Sequence, residues 1–100
     1  MRILITQTFK RSAKRLYRNQ IKHVEEAIKL IQENPEIGEL KVGDLSGIRV
    51  YKFQLLRQLI LLAYSYDKKK DELALLSFAP HQNFYDNLKK QIKSLQTINL

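Results

Sequence analysis

The chain has 100 residues, 44% hydrophobic and 28% charged, with no cysteine and a formal net charge of +8. These figures point to one small globular domain over residues 1–100 and argue against a disordered tail, a disulfide framework and a thiolate metal site. The opening Met1–Thr6 is apolar too briefly for a secretory leader, and the apolar run Leu59–Tyr64 is far short of the roughly 20 residues of a membrane helix, so a cytoplasmic protein without membrane contact is expected.

Ile3, Leu4 and Ile5 predict a short first strand within Arg2–Thr6. Thr6 or Thr8 can cap a helix in which Phe9, Ala13 and Leu16 share one face and Lys10, Arg11, Lys14 and Arg18 cover the rest. Asn19 offers a break. A second helix follows, with Val24, Ala27, Ile28 and Ile31 on one stripe, and it must end by Asn34 because Pro35 disfavours helical geometry before it. Two helices with a tight joint suggest a helical hairpin laid on a sheet.

Pro35–Gly47 is a connector, with Gly38, Gly43 and Ser46-Gly47 as turn residues. The next strand runs from about Ile48 to Leu55. Tyr51, Phe53 and Leu55 share the parity expected to face the helices, whereas Lys52 and Gln54 point to the other face. Leu56-Arg57-Gln58 is the expected bend, Leu59–Tyr66 a mostly apolar central strand, Asp67–Asp71 a charged turn and Leu73–Phe78 the last strand. After Pro80, the spacing of Phe84, Leu88, Ile92 and Leu95 predicts a third helix. The predicted fold is α+β, with element order β-α-α-β-β-β-α. A mainly antiparallel four-stranded sheet carries the helical hairpin on one face and leaves its other face free for a ligand.

The charge is unevenly placed, since Arg2, Lys10, Arg11, Lys14, Arg15, Arg18 and Lys22 all precede the first acid, Glu25. A polyanion partner follows naturally, because each neutralised phosphate releases counterions; solvated helix faces or an acidic protein partner are the alternatives. His81 stands where the last strand runs out, beside a predicted helix start. An imidazole there, among cations, suits cleavage of a phosphodiester backbone by proton transfer. Its structural alternative is to help start the helix. Tyr85, four residues on, could stack on a base or sit beside the core residue Phe84. Lys52 points from a central strand and could match an anion or simply reach solvent. No glycine-rich phosphate loop, metal-ligand set or Ser-His-Asp constellation appears, so neither metal nor cofactor is expected.

Several short stretches resemble the RelE/ParE superfamily of bacterial toxins. They are Gly43-Asp44-Leu45-Ser46-Gly47, Tyr51-Lys52-Phe53-Gln54-Leu55, Leu62-Ala63-Tyr64 and Leu75-Leu76-Ser77, and His81-Gln82-Asn83-Phe84-Tyr85 is similar to the ending of the YafQ-like branch. The resemblance implies a small cytoplasmic toxin held inactive by a cognate acidic antitoxin. RelE-like branches cut messenger RNA on the ribosome; ParE-like branches inhibit DNA gyrase without nuclease residues. It further implies that Lys52 falls on the family's sheet-face lysine, that Gln54 replaces a second basic residue and that Leu61 replaces an arginine expected to hold the scissile phosphate. Arg49 or Arg57 could supply that charge. On this reading His81 is the acid or base, Lys52 stabilises charge and Tyr85 aligns RNA. Lys10, Arg11, Lys14, Arg15 and Arg18, with Lys89, Lys90 and Lys93, grip ribosomal RNA through phosphates. A gyrase inhibitor and a degenerate toxin that binds only its antitoxin remain the alternatives. The nuclease reading requires His81, Lys52 and Tyr85 to converge on one uncovered hollow.

Overall fold

The computed structural model describes the backbone of residues 1–98 and the side chains of residues 1–94. In chain order the elements are β1 (Arg2–Ile5), α1 (Gln7–Lys14), α2 (Arg18–Glu33), β2 (Glu39–Leu40), a 3-10 turn (Gly43–Leu45), β3 (Arg49–Leu55), β4 (Gln58–Asp67), β5 (Glu72–Pro80) and α3 (Phe84–Ile98). The strands form one sheet in the order β1-β5-β4-β3-β2. β1 runs parallel to β5, pairing Arg2 with Glu72 and Ile5 with Leu75, and the other neighbours are antiparallel. The expected element order holds, with one addition. Glu39 and Leu40 pair with Val50 and Arg49, so the connector contributes a two-residue fifth strand. Two residues are too few to leave a periodic signal.

Local chemistry sets the helix ends. The Thr6 hydroxyl accepts from the Phe9 amide at 3.2 Å, capping α1. The Gln20 side chain accepts from the Tyr17 amide at 2.9 Å at the start of α2. Asn34 leaves helical geometry just before Pro35, which ends α2 there.

The core has two parts, one on each face of the sheet. On the first, Phe9, Val24, Ala27 and Ile31 of the helix pair bury Leu55, Ile60, Leu62, Tyr64, Leu73, Leu75 and Phe78, with Tyr51 and Phe53 packed against them. The parity expected for Tyr51, Phe53 and Leu55 is therefore observed. On the second face, Phe84 and Leu88 of α3 bury Leu45, Ile48, Val50, Leu61, Ala63 and Leu76, with Ile92 packed against them. This corrects the expectation of an uncovered face. An apolar stripe on α3 needs apolar partners, and Val50, Leu61 and Ala63 supply them. Leu95, expected on that stripe, lies outside the described side chains.

A bulge in the β4–β5 ladder, at Ala63/Tyr64, ties both layers together. Leu76 is the extra residue, and the alternation shifts after it, so that Phe78 joins Leu73 and Leu75 in the first core while Ala79 follows Leu76 into the second. The Leu76 carbonyl accepts from the Thr6 hydroxyl at 2.7 Å and from the Gln91 side-chain amide at 3.0 Å. One irregular position thus anchors the start of α1 and the middle of α3.

The connector between α2 and β2 is fixed by Tyr64, which is fully buried. Its hydroxyl donates to the Pro35 carbonyl at 2.8 Å and accepts from the Gly38 amide at 2.9 Å. A Cβ on Gly38 would lie 2.8 Å from that hydroxyl and 3.1 Å from the Val50 carbonyl carbon, so this close approach requires glycine.

Candidate functional site

His81 does not lie on a helix. It sits in the turn between β5 and α3, where its carbonyl accepts from the Phe84 amide at 3.2 Å and Asn83 takes a left-handed conformation (φ 60°). The turn still brings the two rings together. The centroids of His81 and Tyr85 are 6.1 Å apart, edge to face, with the imidazole exposed and the phenol half-buried. Tyr85 also packs edge to face on Phe84 at 5.1 Å, which fixes it to the core while its polar end faces outward.

On its other side Tyr85 meets Lys41. The ammonium lies 5.2 Å from the ring centroid and 3.3 Å from a Glu39 carboxylate oxygen. Burial alone would lower the Lys41 pKa, but interactions with the Tyr85 hydroxyl and Glu39 outweigh it and hold the group above the ordinary lysine value. The ammonium is therefore fully charged at neutral pH. Lys41 stands in the connector, half-buried between exposed Leu40 and Val42. Sequence reasoning treated that stretch as a linker and did not single this lysine out. Its position shows only once Lys41 bonds the Ile48 carbonyl through its backbone amide, at 2.8 Å, beside the second core.

Lys52 is exposed on the α3 face of β3, in the cross-strand row Lys52–Leu61–Ala79. Ala79 is two residues before His81, so Lys52, His81 and Tyr85 belong to one side of the sheet near the end of β5. Leu61, between Lys52 and Ala79, is wholly buried in the second core. The position that the superfamily resemblance gives to a phosphate-holding arginine is here an apolar packing position.

The two arginines suggested in its place lie elsewhere. Arg49 has the parity of Tyr51 and faces the helix pair. Its guanidinium donates to the Glu36 carbonyl at 3.2 Å and the Gly38 carbonyl at 2.9 Å, pinning the connector. Arg57 occupies the exposed two-residue turn between β3 and β4, with Leu56 before it at φ 58°. The basic residues of the helices divide between the two layers. Lys10, Arg11, Lys14, Arg15 and Arg18 are exposed and belong to the helix pair, and none is in an ion pair among the described residues. Lys89, Lys90 and Lys93 are exposed on α3, across the sheet.

The cleft beside Tyr85 has a volume of about 380 Å³ and is lined by Glu39, Leu40, Lys41, Val42, Asp44, Leu45, Tyr85 and Lys89, so of the three residues expected to converge on one hollow it holds Tyr85 but neither His81 nor Lys52. It continues into a second hollow bounded by Gly43, Asp44, Lys89, Ile92 and Lys93. Among the described residues no three His, Cys, Asp or Glu side chains cluster as metal ligands, and no helix is long and apolar enough to cross a membrane.

A double arginine-to-alanine mutant of Escherichia coli toxin RelE in the free state superposes with a TM-score of 0.68 at 11% identity, covering 90% of each chain. The intact E. coli RelBE toxin-antitoxin complex gives 0.64 at 15% identity, over 81% of this chain and 96% of that one. The RelBE2 toxin-antitoxin complex of Mycobacterium tuberculosis gives 0.63 at 20% identity, over 80% and 96%. At such identities the likeness concerns the fold. No curated protein matches the chain. The sequence itself matches the family described as ParE-like toxin of type II bacterial toxin-antitoxin system over residues 3–89, and the chain belongs to that family.

Proposed function

We propose that this toxin cleaves messenger RNA on the ribosome without a metal ion. The observation that carries the reading is the contact of exposed His81 with Tyr85, beside the charged Lys41 and on the same side of the sheet as Lys52. Ribose supplies its own 2′-hydroxyl nucleophile, whose proton passes to solvent water at this exposed site, so the protein must protonate the leaving 5′-oxygen and stabilise the charge that develops on phosphorus. His81 is exposed enough to reach a leaving 5′-oxygen and protonate it. Lys52 offers charge to the phosphate, and Tyr85 offers a ring face or hydroxyl to align the nucleotide. The basic residues of α1 and α2 supply phosphate contacts to ribosomal RNA, which position the toxin without reading sequence.

The inhibitory partner on this reading is an acidic antitoxin. A cavity of about 240 Å³, lined by Leu16, Leu55, Ile60, Phe78 and Pro80 with Arg15, suits an apolar anchor flanked by carboxylates.

A second reading, gyrase inhibition, is favoured by burial of Leu61 at the family's arginine position and by membership of a ParE-like family. Message ends mapped in a translating extract, with a gyrase supercoiling assay alongside, separate the two. Codon-spaced cuts that fall about 10²–10⁴-fold in His81→Ala support the nuclease. Blocked supercoiling with intact message supports the gyrase reading. Neither effect, with antitoxin still bound, marks a degenerate toxin.

A further inference from the structure

We infer that the cleft between the β2–β3 connector and α3 is a track for single-stranded RNA leading away from His81, with Lys41 and Lys89 holding phosphate from opposite walls. The inference rests on the RNA-directed reading above and adds a binding path to it.

Three features carry it. First, α3 presents Tyr85, Lys89 and Lys93 at i, i+4 and i+8, and these line the two adjoining hollows in that order. Four helical residues rise about 6 Å, comparable with the step between successive phosphates of an extended strand. Lys90, one position on from Lys89, lines neither hollow. Second, the facing wall brings its own cation. Lys41 is held toward Tyr85 and kept charged, so a phosphate entering beside Tyr85 meets ammonium groups from both sides. Third, the lining is partly apolar where a base would lie. Val42 is 84% exposed and Leu40 53% exposed, both in the cleft wall, with the Tyr85 ring as a further stacking surface. Isolated exposed apolar residues need no explanation, but two flanking a half-buried lysine at a cleft mouth form a surface for a flat ligand.

Two carboxylates share the lining. Glu39 is engaged by Lys41, and Asp44 borders both hollows, where it suits the amino edge of a base better than a phosphate. At the far hollow Gly43 has φ 68°, and a Cβ there would meet nothing within 4 Å.

The test uses the full chain and a fluorescent single-stranded RNA methylated at every 2′-oxygen, which cannot be cleaved. Its affinity is measured by anisotropy over a series of salt concentrations. Lys41→Gln with Lys89→Gln should weaken binding about tenfold and flatten the salt slope by about 1.4, the value for two phosphate contacts to a single strand. Lys68→Gln with Lys69→Gln, which removes the same charge from the β4–β5 turn, should leave both quantities unchanged. Lys41→Arg with Lys89→Arg should restore binding, and equal urea midpoints should show that all variants fold. Should the glutamine pair fail to fold, Lys89→Gln alone should lose about half the slope change. Equal losses in the two glutamine pairs, or none in the cleft pair, overturn the track. Intact cleft-dependent binding without any message cleavage would sink the nuclease reading and leave the track standing. Cleavage with cleft-independent binding would do the reverse.

Discussion

Tyr64→Phe is the most informative single change, because it deletes one oxygen atom and tests how the connector is held. The ring is fully buried, and its hydroxyl joins the Pro35 carbonyl to the Gly38 amide. Phenylalanine would keep the packing and strand both backbone groups. Each net hydrogen bond is worth about 1 kcal/mol, and a buried group left unpaired costs about 1–3 kcal/mol. The expected loss is about 2–3 kcal/mol, a large share of the roughly 5–15 kcal/mol that holds a domain together. In a chain of this size that corresponds to a fall in Tm of roughly 10–20 °C. Urea unfolding followed by circular dichroism measures it. Tyr66→Phe is the control, since that hydroxyl donates to Asp71 at 2.9 Å in an exposed setting and its loss should leave the urea midpoint almost unchanged. The alkaline limb supplies a second check. Burial raises the Tyr64 pKa, against opposing effects of the Gly38 amide and Arg49. A phenol whose folded pKa is raised gives stability that is complete below the unfolded value of about 10 and is lost as pH climbs through the folded one. Wild type should therefore lose stability above pH 10 more steeply than Tyr64→Phe. A loss below about 0.5 kcal/mol at neutral pH, or parallel alkaline limbs, would refute the reasoning.

The remaining predictions concern the sheet, its turns and its acid limb. Leu61→Arg should not rebuild a phosphate site but destabilise by several kcal/mol, because a guanidinium would enter a position with no solvent exposure; unfolding midpoints and soluble yield check this. Leu56→Gly should stabilise by about 0.5–1 kcal/mol by relieving a left-handed leucine in the β3–β4 turn, read in the same urea assay. The hydrogen bond from Tyr66, helped by the terminal ammonium of Met1 at 3.4 Å, lowers the Asp71 pKa. That stability is present above the unfolded value near 4 and disappears as pH falls through the folded one, so Asp71→Asn should flatten the acid side of a Tm–pH curve.

Sequence legibility followed burial. The strands Ile48–Leu55 and Leu59–Tyr66 could be read because their side chains alternate or run apolar, and the helix pair because its stripe is regular. The covered second face was missed because Leu61, Ala63 and Leu76 read equally well as strand filler for the first core. The bulge at Ala63/Tyr64, which sequence does not announce, then shifts the alternation after Leu76 and returns Phe78 to the first core. At the candidate site, the likeness of His81 and Tyr85 to the superfamily ending drew attention to a pair whose rings do meet. They are joined through the turn before α3, in which Asn83 is left-handed. Lys41 was invisible because its role depends on a connector folding back against α3. Arg49 looked like spare charge and instead binds two carbonyls.

The parallel pairing of Arg2–Ile5 with Glu72–Leu75 has a consequence for synthesis. A ribosome releases the amino end first, so the opening strand must wait, unpaired and with Leu4 and Ile5 exposed, until most of the polypeptide has emerged. His81 and Tyr85 follow within a few codons of that closure. A truncated product lacking the last third would possess neither a closed sheet edge nor the ring pair, so both are completed only when translation is almost finished.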